Sequence, residues 1–188
     1  MKKSSQKILI AFVFAGITVA AAAQSSGGAQ QPSSGEQRMQ ERITREARHE
    51  LVMLPQLTIF DDLKYKVEGS TVTLMGEVRN AVLKSDAENA VKKIEGVEKV
   101  DNQIDVLPPS PGDDRIRLAV ARALFGNDSP LFRYSMGALP PIHIIVKGGH
   151  VNLEGMVDNE SDKNLATIKA KGVSGVFSVT NNLVVQKS

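Results

Sequence analysis

The chain has 188 residues, with 23 basic and 21 acidic side chains, three histidines and no cysteine or tryptophan. Without cysteine no disulfide can hold a fold together, so each folded unit must depend on hydrophobic burial. Because Lys2, Lys3 and Lys7 precede every acidic residue, the rest of the chain carries 20 basic and 21 acidic residues. The basic surface that nucleic-acid binding needs is therefore not expected.

Residues 1–23 have the pattern of a secretory signal peptide. A basic start is followed by a mostly apolar run over residues 8–20, and Ala21-Ala22-Ala23 suits a cleavage site. About 13 apolar residues are fewer than the roughly 20 that a membrane-spanning helix needs. We expect cleavage after Ala23 and export to the periplasm, and the lack of cysteine argues against a lipoprotein. Residues 24–37, rich in Gln, Ser and Gly, predict a flexible linker.

The rest of the chain contains an internal repeat at an offset of 79 residues. Val72-Thr-Leu-Met-Gly-Glu-Val78 returns as Val151-Asn-Leu-Glu-Gly-Met-Val157. The pattern G-V-x-x-V-x-N-x-(I/L)-x-V runs from Gly96 to Val106 and again from Gly175 to Val185. Composition alone does not produce such matches at one spacing. We therefore expect two modules, over residues 38–107 and 113–188, joined by the proline-rich segment 108–112.

Each module is predicted to have the element order α-β-β-α-β. In the first module, helical spacing gives an apolar face opposite a basic stripe. We interpret this stripe as a solvated face, with a contact to anionic lipid or nucleic acid as the alternative. That apolar face consists of Ile43, Ala47, Leu51 and Leu54, and the stripe of Arg38, Arg42, Arg45 and His49. Gly69-Ser70 predicts a hairpin turn, as does Gly148-Gly149 in the second module. The expected fold is α+β, with a mixed three-stranded sheet and two helices on one face in each module.

A second helix and a last strand complete the first module. Asn80 is predicted to cap the helix and Gly96 to end it. Alternating apolar residues from Val100 to Val106 predict one continuous strand. Asn102 and Asn181 fall on the inner face of their strands, so hydrogen bonds to backbone are expected for both. Gly76 and Gly155 lie inside the strands that follow the hairpin turns, which indicates a bulge or close packing of a neighbouring element.

This element order and the two repeated motifs resemble the BON domain, a bacterial envelope module often found in tandem. The resemblance covers about residues 38–185. It implies an exported, non-enzymatic protein of the osmotically inducible or envelope-maintenance kind, associated with periplasmic stress responses. It also implies phospholipid binding in some members, with the lipid contact on the first helix of a second module.

The corresponding helix of this chain is therefore the candidate site. Asp113 or Asp114 is predicted to cap it. Its inner face is predicted at Ile116, Ala119, Val120 and Ala123. A different side then carries Arg115, Leu118, Arg122 and Phe125. Apolar side chains between arginines suit an anionic phospholipid surface, because the apolar groups enter the acyl boundary while guanidinium groups meet phosphates.

The same patch has an alternative interpretation. Leu118 and Phe125 could pack against the first module or against another chain, because an exposed apolar patch indicates an interface without naming it. The protein would then be an adaptor that binds an envelope protein or itself. The segment before the next strand could extend either surface through Phe132, Tyr134, Met136 and Leu139.

No catalytic residue, cofactor or metal site is predicted. His49, His143 and His150 are scattered, and neither a zinc-protease, nucleophile-elbow nor phosphate-loop motif occurs. The Gly148-Gly149 turn would place His143 opposite Glu154 and Lys147 opposite His150. Two candidate ligands do not make a dependable metal site.

Overall fold

The computed structural model describes residues 34–137 and 139–186, so the predicted signal peptide and residues 24–33 of the predicted linker lie outside the described residues. The first module consists of α1 (Ser34–Val52), β1 (Asp62–Glu68), β2 (Thr71–Val78), α2 (Ala81–Lys92), β3 (Lys99–Asn102) and β4 (Asp105–Val106). The second consists of α3 (Pro111–Phe125), a 3₁₀ helix (Pro130–Ser135), β5 (Ile142–Lys147), β6 (His150–Val157), α4 (Glu160–Lys171), β7 (Ser178–Asn181) and β8 (Val184–Val185). The α+β class and the tandem arrangement are confirmed. In the described part of the chain, no helix is both long and apolar enough to cross a membrane.

Each sheet is built around its second strand. β2 pairs antiparallel with β1 across the Gly69-Ser70 turn and parallel with β3 and β4, and β6 pairs in the same way with β5, β7 and β8. The final strand of each module was predicted as continuous, and the structure corrects this to two short strands. In the first module, β3 and β4 pair with β2 in one register, since Thr71 lies opposite Lys99 and Glu77 opposite Asp105.

An asparagine side chain occupies each interruption. The amide oxygen of Asn102 accepts from the Ile104 N–H (3.2 Å), while its nitrogen donates to the Lys84 carbonyl (3.0 Å). Asn181 makes the equivalent bonds to Leu183 N–H and Lys163 carbonyl, at 3.0 and 2.7 Å. The predicted bonding of both asparagines to backbone is confirmed, and it ties each last strand to the helix before it.

The helices begin where their caps place them. Asn80 caps α2 as predicted, since its side chain accepts from the Val82 N–H. α1 begins at Ser34, so the last four residues of the predicted linker are helical. Ser110 caps α3, and its hydroxyl accepts from the Asp113 N–H at 3.2 Å. The prediction that Asp113 or Asp114 is the cap was therefore wrong.

Asp113 is instead a buried residue that binds the hairpin turn of its own module. Its carboxylate accepts from the N–H groups of Gly148 (2.9 Å) and Gly149 (2.8 Å). Burial alone would raise the pKa of Asp113, but the two backbone N–H groups, the Ser110 hydroxyl bond and Arg117 outweigh burial and lower it. The carboxylate therefore attaches the start of α3 to the turn between β5 and β6.

The apolar face of α1 packs as predicted at three of its four residues, whereas Leu54 lies beyond the end of the helix and is half-buried. The apolar face of α3 differs more from the prediction. Ile43, Ala47 and Leu51 are buried. In α3 the buried residues are Asp113, Arg117, Val120 and Leu124, while Ala119 and Ala123 are only half-buried. The predicted inner face of α3 was thus correct at Val120 and at Ile116, which packs against the core, and wrong at Ala119 and Ala123.

The physical reason is that Arg117, a charged residue, lies on the buried face of α3, and the first helices of the two modules correspond at an offset of 77, not 79. Gln40 donates to the Val67 carbonyl (2.8 Å), and Arg117 donates to the Val146 carbonyl (2.6 Å). The two carbonyls are 79 residues apart, but the two donors are 77 apart. The two additional residues of the second module lie between α3 and β5, where the 3₁₀ helix contributes Leu131 and Tyr134 to the core.

The two modules contact each other through the sheet faces that the helices leave uncovered. Lys64 pairs with Glu154 (2.9 Å) and Lys147 with Asp105 (3.0 Å). The loop before β1 covers the edge of β5, because the Ile144 N–H donates to the Ile59 carbonyl at 2.7 Å. Ile145 points away from its own core yet is only 1% exposed. The helices therefore lie on the outer sides of this contact.

The glycines inside β2 and β6 give a first prediction. Gly155 has φ 112°, and a Cβ there would lie 1.9 Å from the Pro141 carbonyl oxygen; Gly76 has the same φ and a similar clash. Gly148 also has positive φ, 60°, but open space around it. We expect Gly148→Ala to lower the free energy of unfolding by about 1–2 kcal/mol and Gly155→Ala by more than about 3 kcal/mol. Urea denaturation checks this, and equal effects would contradict the close packing.

Glu77, beside the contact between the modules, gives a second prediction. Burial raises its pKa, and Asp105, Asp62 and Glu154 raise it further against the opposing effect of Lys147. A raised folded-state pKa contributes stability that is present below the ordinary value of 4.5 and lost as the pH rises through the folded value. Glu77→Gln should therefore increase the free energy of unfolding at pH 7 and have little effect near pH 4.

Urea denaturation of the parent and the variant at both pH values measures this difference. Glu50→Gln, on the exposed side of α1, is the control and should change neither value. A Glu77→Gln effect of the same size at both pH values would show that ionisation of Glu77 is not its cause.

Candidate functional site

The four residues of the predicted patch on α3 do not form one surface. Arg115, Leu118 and Arg122 are exposed, and Leu118 has 49% of its surface accessible. Phe125, at the end of the helix, is half-buried and packs against the core of its own module. The structure therefore keeps three of the four residues together on the outer face of α3. It removes Phe125 as a freely accessible apolar group.

The alternative, in which this patch packs against the first module, is also wrong. The modules meet through their sheet faces, where the pairs Lys64–Glu154 and Lys147–Asp105 lie. At the junction, Arg79 contacts Asp114 at 3.3 Å, one turn of α3 before Leu118, but Leu118 itself stays exposed. Leu118 is therefore available to a molecule outside this chain.

Comparison of the two first helices shows what is particular to α3. At the offset of 77 that relates them, Arg38, Glu41 and Arg45 of α1 correspond to Arg115, Leu118 and Arg122 of α3. All six side chains are exposed. Both helices therefore carry two arginines seven residues apart, but the first has a carboxylate between them and the second a leucine.

This difference changes what each helix can bind. In α1 a glutamate within one turn of both arginines offsets part of their charge. In α3 the two guanidinium groups are about 10 Å apart along the axis, with only an apolar side chain between them. Among the described residues, no carboxylate pairs with Arg115 or Arg122. Guanidinium groups suit bidentate binding of phosphate, so this face combines phosphate donors with an apolar group.

The segment before β5 is mainly a core element. Tyr134 is buried, donates its hydroxyl proton to Asp162 (2.7 Å) and accepts from the Asp158 N–H (2.8 Å). Burial, together with the neighbouring carboxylates, raises the pKa of Tyr134 to about 12. Tyr134 cannot extend an outer surface, whereas Phe132 and Met136 remain exposed.

The histidines do not assemble a metal site among the described residues, where no group of three or more histidine, aspartate or glutamate side chains is placed to hold a metal ion. The predicted register is confirmed, with His143 opposite Glu154 and Lys147 opposite His150. His143 Nδ1 lies 2.6 Å from the Asp61 carbonyl oxygen, across the contact between modules. His150 Nδ1 lies 2.7 Å from the Ser178 hydroxyl.

One strongly exposed aromatic residue escaped the sequence analysis. Phe177 lies in the turn between α4 and β7 and is 78% exposed. The offset of 79 places it at the position of Glu98 in the first module. The sequence comparison used positions where the two modules have the same residue. A comparison of equivalent positions where the residues differ would have found both this change and the change from Glu41 to Leu118.

Comparison with known proteins gives two matches to one family description. The BON domain matches residues 40–108 and again residues 112–187. Osmotically-inducible protein Y of Escherichia coli K12 is 28% identical over 131 residues, which are 65% of this chain and 61% of that protein. The aligned part thus spans less than two thirds of this relative.

Two solved structures also align with this chain, but with low sequence identity and low TM-scores. They are CdsD, a structural protein of the type III secretion system of Chlamydia trachomatis, and its C-terminal domain. They align with 78% and 77% of this chain and with 93% and 98% of their own, at 13% and 14% identity and TM-scores of 0.32 and 0.30. No functional inference follows from a likeness at this level.

The different placement of Phe125 and Leu118 leads to a third prediction. Phe125→Ala should lower the free energy of unfolding by about 2 kcal/mol, because it removes a side chain from the module core. Leu118→Ala should change it by less than about 1 kcal/mol, since half of this side chain is already in water. Chemical denaturation of both variants measures the difference. A larger loss for Leu118→Ala would mean that its surface is covered in the folded protein.

Proposed function

The chain belongs to the BON domain family through both of its modules, and from this we propose that it binds anionic phospholipid surfaces of the bacterial envelope through the outer face of α3. Arg115 and Arg122 contact lipid phosphates, and Leu118 enters the boundary between headgroups and acyl chains. The observation that carries the proposal is the exposed leucine between two arginines that pair with no carboxylate among the described residues.

The energies of these contacts predict weak, reversible and salt-sensitive binding. Each basic residue near an anionic surface contributes about 1 kcal/mol. Complete burial of a leucine side chain contributes about 1.5–3 kcal/mol, and the half that is exposed in Leu118 contributes about half of that. Charge attraction is screened over about 8 Å at physiological ionic strength. Phe125 has an indirect role here, because its packing holds the end of α3 on the module.

The biological setting proposed is protection of the envelope under osmotic or related stress. The name of the Escherichia coli relative describes osmotic induction, and the predicted signal peptide would deliver the chain to the periplasm. A reversible contact with a membrane surface fits a protein that accumulates under stress and supports envelope integrity without being inserted. This part of the proposal depends on export.

Vesicle flotation gives the fourth prediction, with the protein beginning at Gln24, the predicted start of the exported chain. It should float with phosphatidylglycerol vesicles, less well at physiological than at low salt, and not with phosphatidylcholine vesicles. Leu118→Glu makes α3 resemble α1 and should reduce the bound fraction at least about tenfold, because it removes an apolar contact and adds a repelled charge. Arg115→Glu with Arg122→Glu should do the same.

Matched controls exist in the first module. Arg38→Glu with Arg45→Glu makes the same charge change at the same spacing on α1 and should leave most of the binding intact. Glu41→Leu gives α1 the pattern of α3 and should increase binding. Equal loss from both arginine pairs would mean that net charge alone drives flotation, and this would refute a specific α3 surface. If the unchanged protein does not float but Leu118→Glu changes its oligomeric state, the face is a protein contact.

A further inference from the structure

The turn between α4 and β7 presents Phe177 to solvent in a fixed position. Of the large hydrophobic side chains in the described residues, Phe177 is the most exposed, at 78%. Its N–H donates to the Gly149 carbonyl at 2.9 Å, and its ring lies against Gly149, where a Cβ would be 2.5 Å from ring atom Cδ2. The His150 ring lies 6.1 Å away at a tilt. The ring is therefore held in place while most of its surface faces outward.

The same position in the first module has the opposite chemistry. Glu98 corresponds to Phe177 and Ser70 to Gly149, and the Ser70 hydroxyl donates to Glu98 at 2.9 Å. The first module thus closes its turn with a polar pair, whereas the second has an exposed aromatic ring against a glycine. Both backbones follow the same path, since Gly96 and Gly175 have φ of 93° and 90°. The change is therefore one of surface chemistry rather than of fold.

The charge of the segment around this turn also differs between the two modules. Residues 87–99 contain three lysines and three glutamates, while the equivalent residues 166–178 contain two lysines and no acidic residue. Glu95, which pairs with Arg42 in the first module, is replaced by Ser174. On α4, Ile168 is exposed where the first module has Asn89. This end of the second module is therefore both more apolar and more positive than its counterpart.

The turn is attached to the first turns of α3. A Cβ at Gly175 would be 3.5 Å from Ile116, and the Asp113 carboxylate holds the N–H groups of Gly148 and Gly149. Phe177, which rests on Gly149, thus lies at the same end of α3 as Arg115. An exposed apolar ring at the same end of the module as an exposed guanidinium, with lysines on the preceding helix, is complementary to an anionic lipid surface rather than to a basic protein.

We propose that Phe177 is a second insertion point, which enters the acyl boundary of an anionic bilayer beside the α3 face. The proposal rests on the proposed function and deepens it, because the membrane then contacts one end of the second module at two places. A buried phenylalanine contributes enough to change partitioning by about tenfold to a hundredfold. Such a contribution would make the second module the membrane-facing end of the protein.

The absence of tryptophan from the chain allows a direct test. Phe177→Trp introduces a single tryptophan at an exposed site, and Glu98→Trp does so at the equivalent exposed site of the first module. With phosphatidylglycerol vesicles, emission of the first variant should shift to the blue and be quenched by brominated acyl chains. Emission of the second should change in neither way. Phe177→Ser should reduce partitioning about tenfold or more without loss of the far-ultraviolet circular dichroism spectrum.

The outcomes separate this inference from the function it rests on. If vesicles bind in a Leu118-dependent way while the tryptophan at position 177 stays unshifted, the insertion of Phe177 is refuted and the α3 surface stands. A blue shift that grows with protein concentration without vesicles refutes lipid insertion in favour of contact between copies of the chain. Failure of the unchanged protein to float refutes both.

Discussion

The polar contact between the two uncovered sheet faces determines which surfaces of this protein are available. A sheet with helices on one side leaves its other side open, and an open sheet face in a small module exposes backbone and apolar groups to solvent. Here each open face covers part of the other, through the ion pairs Lys64–Glu154 and Lys147–Asp105 around the buried Ile145. The helices are consequently directed outward. Any surface that binds another molecule through a helix must lie on these outer sides.

The ion pairs between the modules are partly exposed, so their own contribution to stability is modest. Surface ion pairs contribute about 0–1 kcal/mol each, and the carboxylates around Glu77 oppose one another. The backbone bond from Ile144 to Ile59 adds a directional element that the ion pairs lack. Each module has its own hydrophobic core, but Ile59 and Phe60 of the first module also pack against the core of the second. The loop before β1 therefore links the two modules by apolar contact as well as by hydrogen bonding.

The sequence predicted best those features that depend on neighbours in the chain. Hairpin turns need glycine for positive φ, and strands alternate along their own length, so Gly69, Gly148 and the registers of β2 and β6 were foreseen correctly. The inner face of α3 depends instead on tertiary contacts. Arg117 is buried because it can donate to the Val146 carbonyl and pair with Asp114, which hydrophobic periodicity cannot show. The half-buried alanines Ala119 and Ala123 and the half-buried Phe125 then give a misleading apolar face.

The candidate site was predicted in part for the same reason. Arg115, Leu118 and Arg122 are where the helical spacing put them, but the wrong inner face assigned Phe125 to the outside. The residue that the structure offers in its place, Phe177, is distant in sequence and reaches the same end of the module only through the fold. Its exposure depends on Gly149, where any side chain would collide with the ring. No local pattern reveals that dependence.

The internal repeat provides a control for these surfaces, because two modules with one backbone separate what the fold requires from what a surface adds. Residues that are alike in both, such as Gly76 and Gly155 or Asn102 and Asn181, have the same structural task in each. Residues that differ at exposed positions are not constrained by the fold. The two changes at the α3 end, from Glu41 to Leu118 and from Glu98 to Phe177, both replace a carboxylate with an apolar side chain. Leu118 lies on α3, and Phe177 rests on the turn between β5 and β6. The Asp113 carboxylate at the start of α3 connects these two elements, because it accepts hydrogen bonds from the N–H groups of that turn. The two apolar groups therefore belong to one rigid unit of the second module, in which α3 and the turn that carries Phe177 are held in a fixed relation.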